Sequence, residues 1–173
     1  MEHFKRNADA EVVLVLTNNP QAFVLQRADN FEIPSHIFTR QEFYDTDDVI
    51  RMLKTLQVDL IVLAGFLWLI PPSLLKSFSN KIINLHPALL PKYGGKGMYG
   101  DHVHKAVLAA KEEESGITIH FVNAEFDEGE IIHQSKFRID PDDTLEMIKF
   151  KGQQLEHQHF PKVVENLLKK MKS

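Results

Sequence analysis

Asn84 and His86 are two polar side chains spaced i and i+2 at the end of the apolar run Ile82-Ile83-Asn84-Leu85-His86, and Pro87 follows directly. If residues 81–85 form a strand, its period of two sends both side chains out on the same side at its C-terminal end. An amide donor beside an imidazole suits acyl-transfer chemistry. The amide can hydrogen-bond a developing oxyanion, and the imidazole can share that task or move a proton. An arbitrary Asn-x-His does no more than satisfy a turn, so the residues around the pair must decide between the two readings.

The chain continues Pro87-Ala88-Leu89-Leu90-Pro91-Lys92-Tyr93, then Gly94-Gly95-Lys96-Gly97. With Asn84 and His86, this stretch resembles the Asn-x-His-Pro-[Ser/Ala]-Leu-Leu-Pro-[Lys/Arg]-[Tyr/Phe] signature and Gly-rich turn of the folate-dependent formyltransferases. The likeness is greatest to the branch of that family that serves purine biosynthesis. Two further blocks agree in order: Ser115-Gly116-Ile117-Thr118-Ile119-His120-Phe121-Val122 with Phe126-Asp127-Glu128-Gly129, and Asp59-Leu60-Ile61-Val62-Leu63-Ala64-Gly65-Phe66-Leu67-Trp68-Leu69-Ile70. The resemblance runs from about Glu11 to the C-terminal helix.

The resemblance implies transfer of a formyl group from the cosubstrate 10-formyltetrahydrofolate to the primary amine of glycinamide ribonucleotide. Asn84 would donate to the oxyanion. His86 would stabilise it and pass a proton to the leaving folate nitrogen, and Asp127 would hold His86 or a water in that relay. Leu67, Trp68, Leu69 and Ile70, with Asn123, Ala124, Glu125 and Phe126, would line the pterin site. Thr118 and His120, which share a strand face, would turn towards the substrates, with Glu156 near the amine and Lys92 near an anionic group. The family needs no metal.

Each of these residues also has a plainer reading. Leu67 and Leu69 could be core beneath a sheet and are expected to split between packing and pterin contact, Glu156 a solvated helix face, and Asp127 a turn former before Gly129. His102-x-His104 and His157-x-His159 suggest a metal at first sight, but i and i+2 diverge on a helix. Gly94-Gly95-Lys96-Gly97 lacks the Gly-x-x-x-x-Gly-Lys-[Ser/Thr] spacing of a nucleotide loop and reads as a turn beside the folate-side pocket.

The elements that must position these residues alternate. Residues 12–17, 36–38, 60–63 and 82–85 are short apolar runs of the kind buried in a parallel sheet. Residues 20–27, 40–57 and 100–110, and the segment led by Pro71-Pro72, carry helical spacing or a helix start. Residues 118–122 and 131–137 read as strands and 144–170 as mostly helix, with Pro161 expected to bend or interrupt it. This pattern predicts an α/β fold: a doubly wound, mostly parallel sheet with helices on both faces. Residues 1–173 are expected to form one catalytic domain, truncated at the N-terminus relative to the family. Residues 2–7 look like the tail of a helix, where the family places its first strand and a phosphate-binding loop. That departure puts binding of the ribosyl phosphate in question.

With 173 residues, no cysteine and a formal net charge of −4, the composition is that of a globular chain without a disulfide framework or a broad nucleic-acid-binding face. No apolar run has the length of a membrane span, so a cytoplasmic protein with small-molecule substrates is expected, as monomer or homodimer. The rival functions are hydrolysis of formyltetrahydrofolate, which would use the same Asn, His and Asp with water as the attacker, and a folate-binding relic without turnover. The tRNA-directed members of the family carry a further basic domain not present in this sequence.

Overall fold

The computed structural model describes residues 1–5, 7 and 9–172. After a 3-10 turn at Glu2–Phe4, the elements are β1 (Val15–Thr17), α1 (Phe23–Asn30), β2 (Ser35–Ile37), α2 (Arg40–Tyr44), α3 (Asp48–Thr55) and β3 (Ile61–Leu63). There follow α4 (Pro72–Ser77), β4 (Ile82–His86), α5 (Asp101–Ala109), β5 (Glu114–Phe121), β6 (Ile131–Arg138) and α6 (Leu145–Lys172). The helical tail read at residues 2–7 is a single turn at Glu2–Phe4, and Arg6 lies outside the described residues. No helix among the described residues is long and apolar enough to cross a membrane.

The chain divides into two compact units, Met1–Asp59 with Leu167–Ser173, and Leu60–Asn166. In the first, β1 and β2 pair in parallel, joined through α1. Thr39 and Glu42 form a capping box that starts α2, each side chain accepting from the other's backbone N–H. The start fixed there lets Phe43 stack on Phe38 at 5.0 Å, both rings buried. The single helix expected over 40–57 is two. Asp48 N–H donates to the Thr46 hydroxyl, which donates to the Asp48 carboxylate at 2.7 Å, and this local bonding competes with helix continuation. At the C-terminal end of the unit, Lys169 pairs with Asp9 at 3.0 Å.

The second unit carries the sheet that matters for chemistry, in the order β3-β4-β5-β6. β3 and β4 are parallel, whereas β4–β5 and β5–β6 are antiparallel, so this α/β sheet is mixed. Its core is built from Ile82, Ile83, Ile117 and Ile119 on the strands, Val103 and Val107 one turn apart on α5, and Ile148 on α6. Lys149 on α6 reaches Asp101 at the start of α5, and Lys151 gathers Asp140, Asp143 and the Arg138 carbonyl at the start of α6. Pro161 does not interrupt α6, which runs on to Lys172.

Candidate active site

β4 is an inner strand, and its period of two places Asn84 and His86 on one face, opposite His120 and Thr118 of β5 respectively. The side chains then converge. Asn84 Nδ2 lies 3.2 Å from His120 Nε2 and 3.4 Å from Asp127 Oδ1. His86 Nδ1 is 3.4 Å from Asp127 Oδ2, and His120 Nε2 is 3.5 Å from Asp127 Oδ1. The four residues all belong to the second unit.

Backbone groups assign the imidazole protons. A carbonyl can only accept, so the 2.8 Å contact between His86 Nε2 and Tyr93 O is an Nε2–H donation, leaving Nδ1 to face Asp127. In His120 the same argument puts a proton on Nδ1, which donates to Phe121 O at 2.8 Å. His120 Nε2 is then an acceptor for the Asn84 amide, which fixes the nitrogen end of Asn84 towards the cluster.

Asp127 is delivered by a tightly folded return from β5 to β6. A Cβ on Gly129 would fall 1.7 Å from the Phe121 carbonyl oxygen, so glycine alone fits where the return closes. Asp127 itself adopts φ +59°, a left-handed conformation that Asp tolerates better than most residues. Its Oδ2 accepts from Gly95 N–H at 3.0 Å. Gly94 makes that approach possible, since a Cβ there would come within 3.2 Å of Asp127 Cβ.

The electrostatics follow from this packing. Burial pushes the His86 pKa below its ordinary value, more than the Asp127 charge and the Tyr93 carbonyl raise it, and the His120 ring lowers it further. For Asp127 burial acts upward, but the adjoining His120 and His86 rings and the Gly95 N–H together hold its carboxyl below the usual range. Near neutrality an ionised carboxylate therefore faces a bare imidazole nitrogen. A proton arriving there is shared by both groups.

The remaining sequence-derived candidates separate into two groups. Leu67 and Leu69 are 52% and 38% exposed, whereas Ile70 is 3% exposed and belongs to the core. The split expected between Leu67 and Leu69 thus falls between those two and Ile70. Trp68 meets Phe66 edge to face at 6.2 Å. On the second loop, Asn123 Oδ1 accepts from Glu125 N–H at 3.0 Å and turns the chain at Ala124, with Phe126 half-buried before Asp127. Glu156 is half-buried on α6, and burial pushes its carboxyl above the usual range, with the His157 ring opposing.

Two further candidates are engaged within the protein itself. Thr118 is fully buried, and its hydroxyl donates to Ala88 O at 2.7 Å while accepting from Leu90 N–H at 3.1 Å and Gln134 Nε2 at 2.9 Å. With both lone pairs and its proton in use, it clamps the loop after β4. Lys92 is engaged with Glu112 at 2.8 Å. Reading side-chain types alone missed the Tyr93 carbonyl and the Gly95 N–H. The Gly94-Gly95 pair was the available signal, because adjacent glycines mark a backbone that must pass close to something.

The profile of the Formyl transferase family matches residues 1–164. A phosphoribosylglycinamide formyltransferase of Bacillus subtilis is 38% identical over 168 residues, covering 95% of this chain and 84% of the relative. The chloroplastic phosphoribosylglycinamide formyltransferase of Arabidopsis thaliana is 39% identical across 91% of this chain, which spans 56% of that longer protein. Among solved structures, the phosphoribosylglycinamide formyltransferase of Bacillus halodurans superposes with a TM-score of 0.81 at 34% identity, over 92% of this chain and 81% of that one. This protein belongs to the formyl transferase family.

Proposed function

We propose that the chain acts as one catalytic domain that moves a formyl group from 10-formyltetrahydrofolate to the primary amine of glycinamide ribonucleotide. The observation that carries this reading is the meeting of Asn84, His86, His120 and Asp127 within 3.5 Å. The amine nitrogen forms a bond to the formyl carbon, the carbonyl oxygen becomes an oxyanion, and the bond to the folate nitrogen then breaks. One proton must travel from the attacking amine to the leaving nitrogen.

Asn84 Nδ2 donates to the oxyanion, giving up its 3.4 Å contact with Asp127, the longer of its two. One preorganised donor of this kind is worth ~3 kcal/mol in the transition state. His86 Nδ1 and Asp127 Oδ2 hold the proton in transit, with Tyr93 and Gly95 keeping the pair aligned. His120 orients Asn84. The exposed Leu67 and Leu69, Trp68 and the backbone of residues 123–126 receive the flat pterin, and the half-buried Glu156 accepts a hydrogen bond from the neutral substrate amine. Lys92 reaches a substrate anion if it exchanges Glu112 for it.

The test measures formyl transfer to glycinamide ribonucleotide against release of formate from the folate alone. Product formed at the expense of the folate, absent in Asp127→Ala, is the expected result. Formate release without transfer would replace this reading with hydrolysis.

A further inference from the structure

Glu112 stands outside the catalytic cluster, in the connection between α5 and β5, and one of its oxygens is used twice. Its Oε1 accepts from the Tyr93 hydroxyl and from Lys92 Nζ, both at 2.8 Å. Tyr93 is the residue whose carbonyl takes the Nε2–H of His86, and it does so from φ +59°. Two residues on, Gly95 N–H reaches Asp127. The turn at 93–95 thus touches both His86 and Asp127, in each case through backbone atoms.

A bulky non-glycine residue keeps a left-handed conformation only where its surroundings over-determine it. The inner part of this loop is held by Thr118 and Gln134, which bond the backbone of Ala88 and Leu90. The outer part, at residues 92–93, has its side-chain tether in Glu112. Without that tether the Tyr93 peptide can relax, and its carbonyl leaves the imidazole. The exposed Lys92 ion pair is a weak hold by comparison, because solvent screens it.

The geometry points to Glu112 as a positioning residue that keeps the Tyr93 carbonyl on His86 Nε2 and so selects the ring nitrogen that faces Asp127. This rests on the proposed proton-handling role of His86 and Asp127. Glu112 itself stays ionised across the working range, since the hydrogen bonds from Lys92 and Tyr93 hold its carboxyl below the usual value.

Imidazole NMR on the whole histidine-labelled chain reads the tautomer and titration of His86 directly, beside steady-state kcat and KM. In the unmodified protein His86 should titrate as a neutral Nε2–H tautomer. Glu112→Ala and Tyr93→Phe should each mix the tautomers and lower the titration midpoint, because both lose the carbonyl that favours the imidazolium. Turnover should fall by roughly tenfold to a hundredfold, the scale of an ångström-level misplacement, with KM nearly unchanged. Glu112→Gln, which still offers an acceptor to Tyr93, should restore the His86 signature. Should Glu112→Ala fail to fold, Tyr93→Phe decides, since it removes a single oxygen. An unchanged His86 tautomer and midpoint in the folded variants would overturn the assignment, whatever happens to turnover. Full transfer by His86→Ala would instead remove the proton-relay reading while leaving the tautomer result to judge Glu112.

Discussion

Asn84 and His120 stand directly opposite one another on antiparallel strands, and their side chains meet at 3.2 Å. The pairing settles which end of the Asn84 amide looks into the cluster, because His120 has committed its Nδ1 proton to the Phe121 carbonyl and can only accept at Nε2. An amide held nitrogen-first is a donor already turned towards the cluster when charge develops.

The first expectation concerns that donor. Asn84→Ala should lower kcat by roughly 10²-fold, the usual effect of deleting one oxyanion donor. Binding of a folate analogue, measured by calorimetry, should change little, because the interaction is made in the transition state. A variant that turned over like the parent protein would remove Asn84 from the mechanism.

His86→Ala and Asp127→Ala should each abolish most formyl transfer, and the double variant should be scarcely worse than either, as groups acting as one unit behave. Kinetic comparison of the three checks this. Fully additive losses would mean that the two residues act separately despite their 3.4 Å contact.

Much of this cluster was legible in the chain itself. Period-two alternation was enough to put Asn84 and His86 on one face, while His120 and Asp127 were singled out by the family resemblance of the blocks that carry them. What escaped that reading lies in the backbone or across long separations. The Tyr93 carbonyl and the Gly95 N–H exist at almost any residue and carry no compositional signal. Thr118 shares a face with His120, as alternation requires, yet its hydroxyl is consumed by residues 16 to 30 positions away in sequence. The break between α2 and α3 is local chemistry at Thr46 and Asp48 overriding an unbroken helical spacing of apolar residues.

The clamp role of Thr118 has a direct test. Thr118→Val keeps the shape but leaves the Leu90 N–H without its acceptor and the Ala88 carbonyl without its donor, while Gln134 keeps the Leu90 carbonyl. Each buried polar group left unpaired costs about 1–3 kcal/mol, so the melting temperature should drop by several degrees. The KM for the amine substrate should hold at temperatures where the variant is folded. A raised KM with an unchanged melting temperature would assign Thr118 to the substrate site instead.

Gly94 and Gly129 should respond differently to alanine. At Gly129 the new Cβ meets backbone, the Phe121 carbonyl, which cannot yield, so Gly129→Ala should lose both stability and turnover. At Gly94 the nearest atom is the Leu90 Cδ2 at 2.5 Å, the movable end of a side chain, with Asp127 Cβ next at 3.2 Å. Gly94→Ala should therefore cost turnover by displacing Asp127, with a stability loss at the lower end of the ~1–3 kcal/mol typical of overpacking. Thermal melts and kcat on both variants check the contrast, and equal behaviour would contradict it.

The last expectation is a pH dependence of stability. Burial depresses the pKa of His86, His104 and His133 in the folded chain. The unfolded chain, where these rings titrate near the ordinary histidine value of 6.5, therefore binds more protons as the solution is acidified. The derivative of unfolding free energy with pH is positive wherever the unfolded state carries the excess. Stability should thus be fully present above the unfolded value and decline as pH falls through it towards the folded values. Asp127 works in a lower window, because its folded pKa is depressed from the ordinary value of 3.8 and its contribution disappears only as pH falls through that folded value. Chemical denaturation between pH 8 and pH 5 spans the histidine window, which the Met1 α-amino group, lowered by burial, and Glu156, raised by burial, also approach, so the parent is compared with a single-histidine variant. A decline over that range, reduced by His133→Gln at the partly exposed ring, is expected. A profile left unchanged by His133→Gln would mean that this ring is as protonatable in the folded protein as in the unfolded chain.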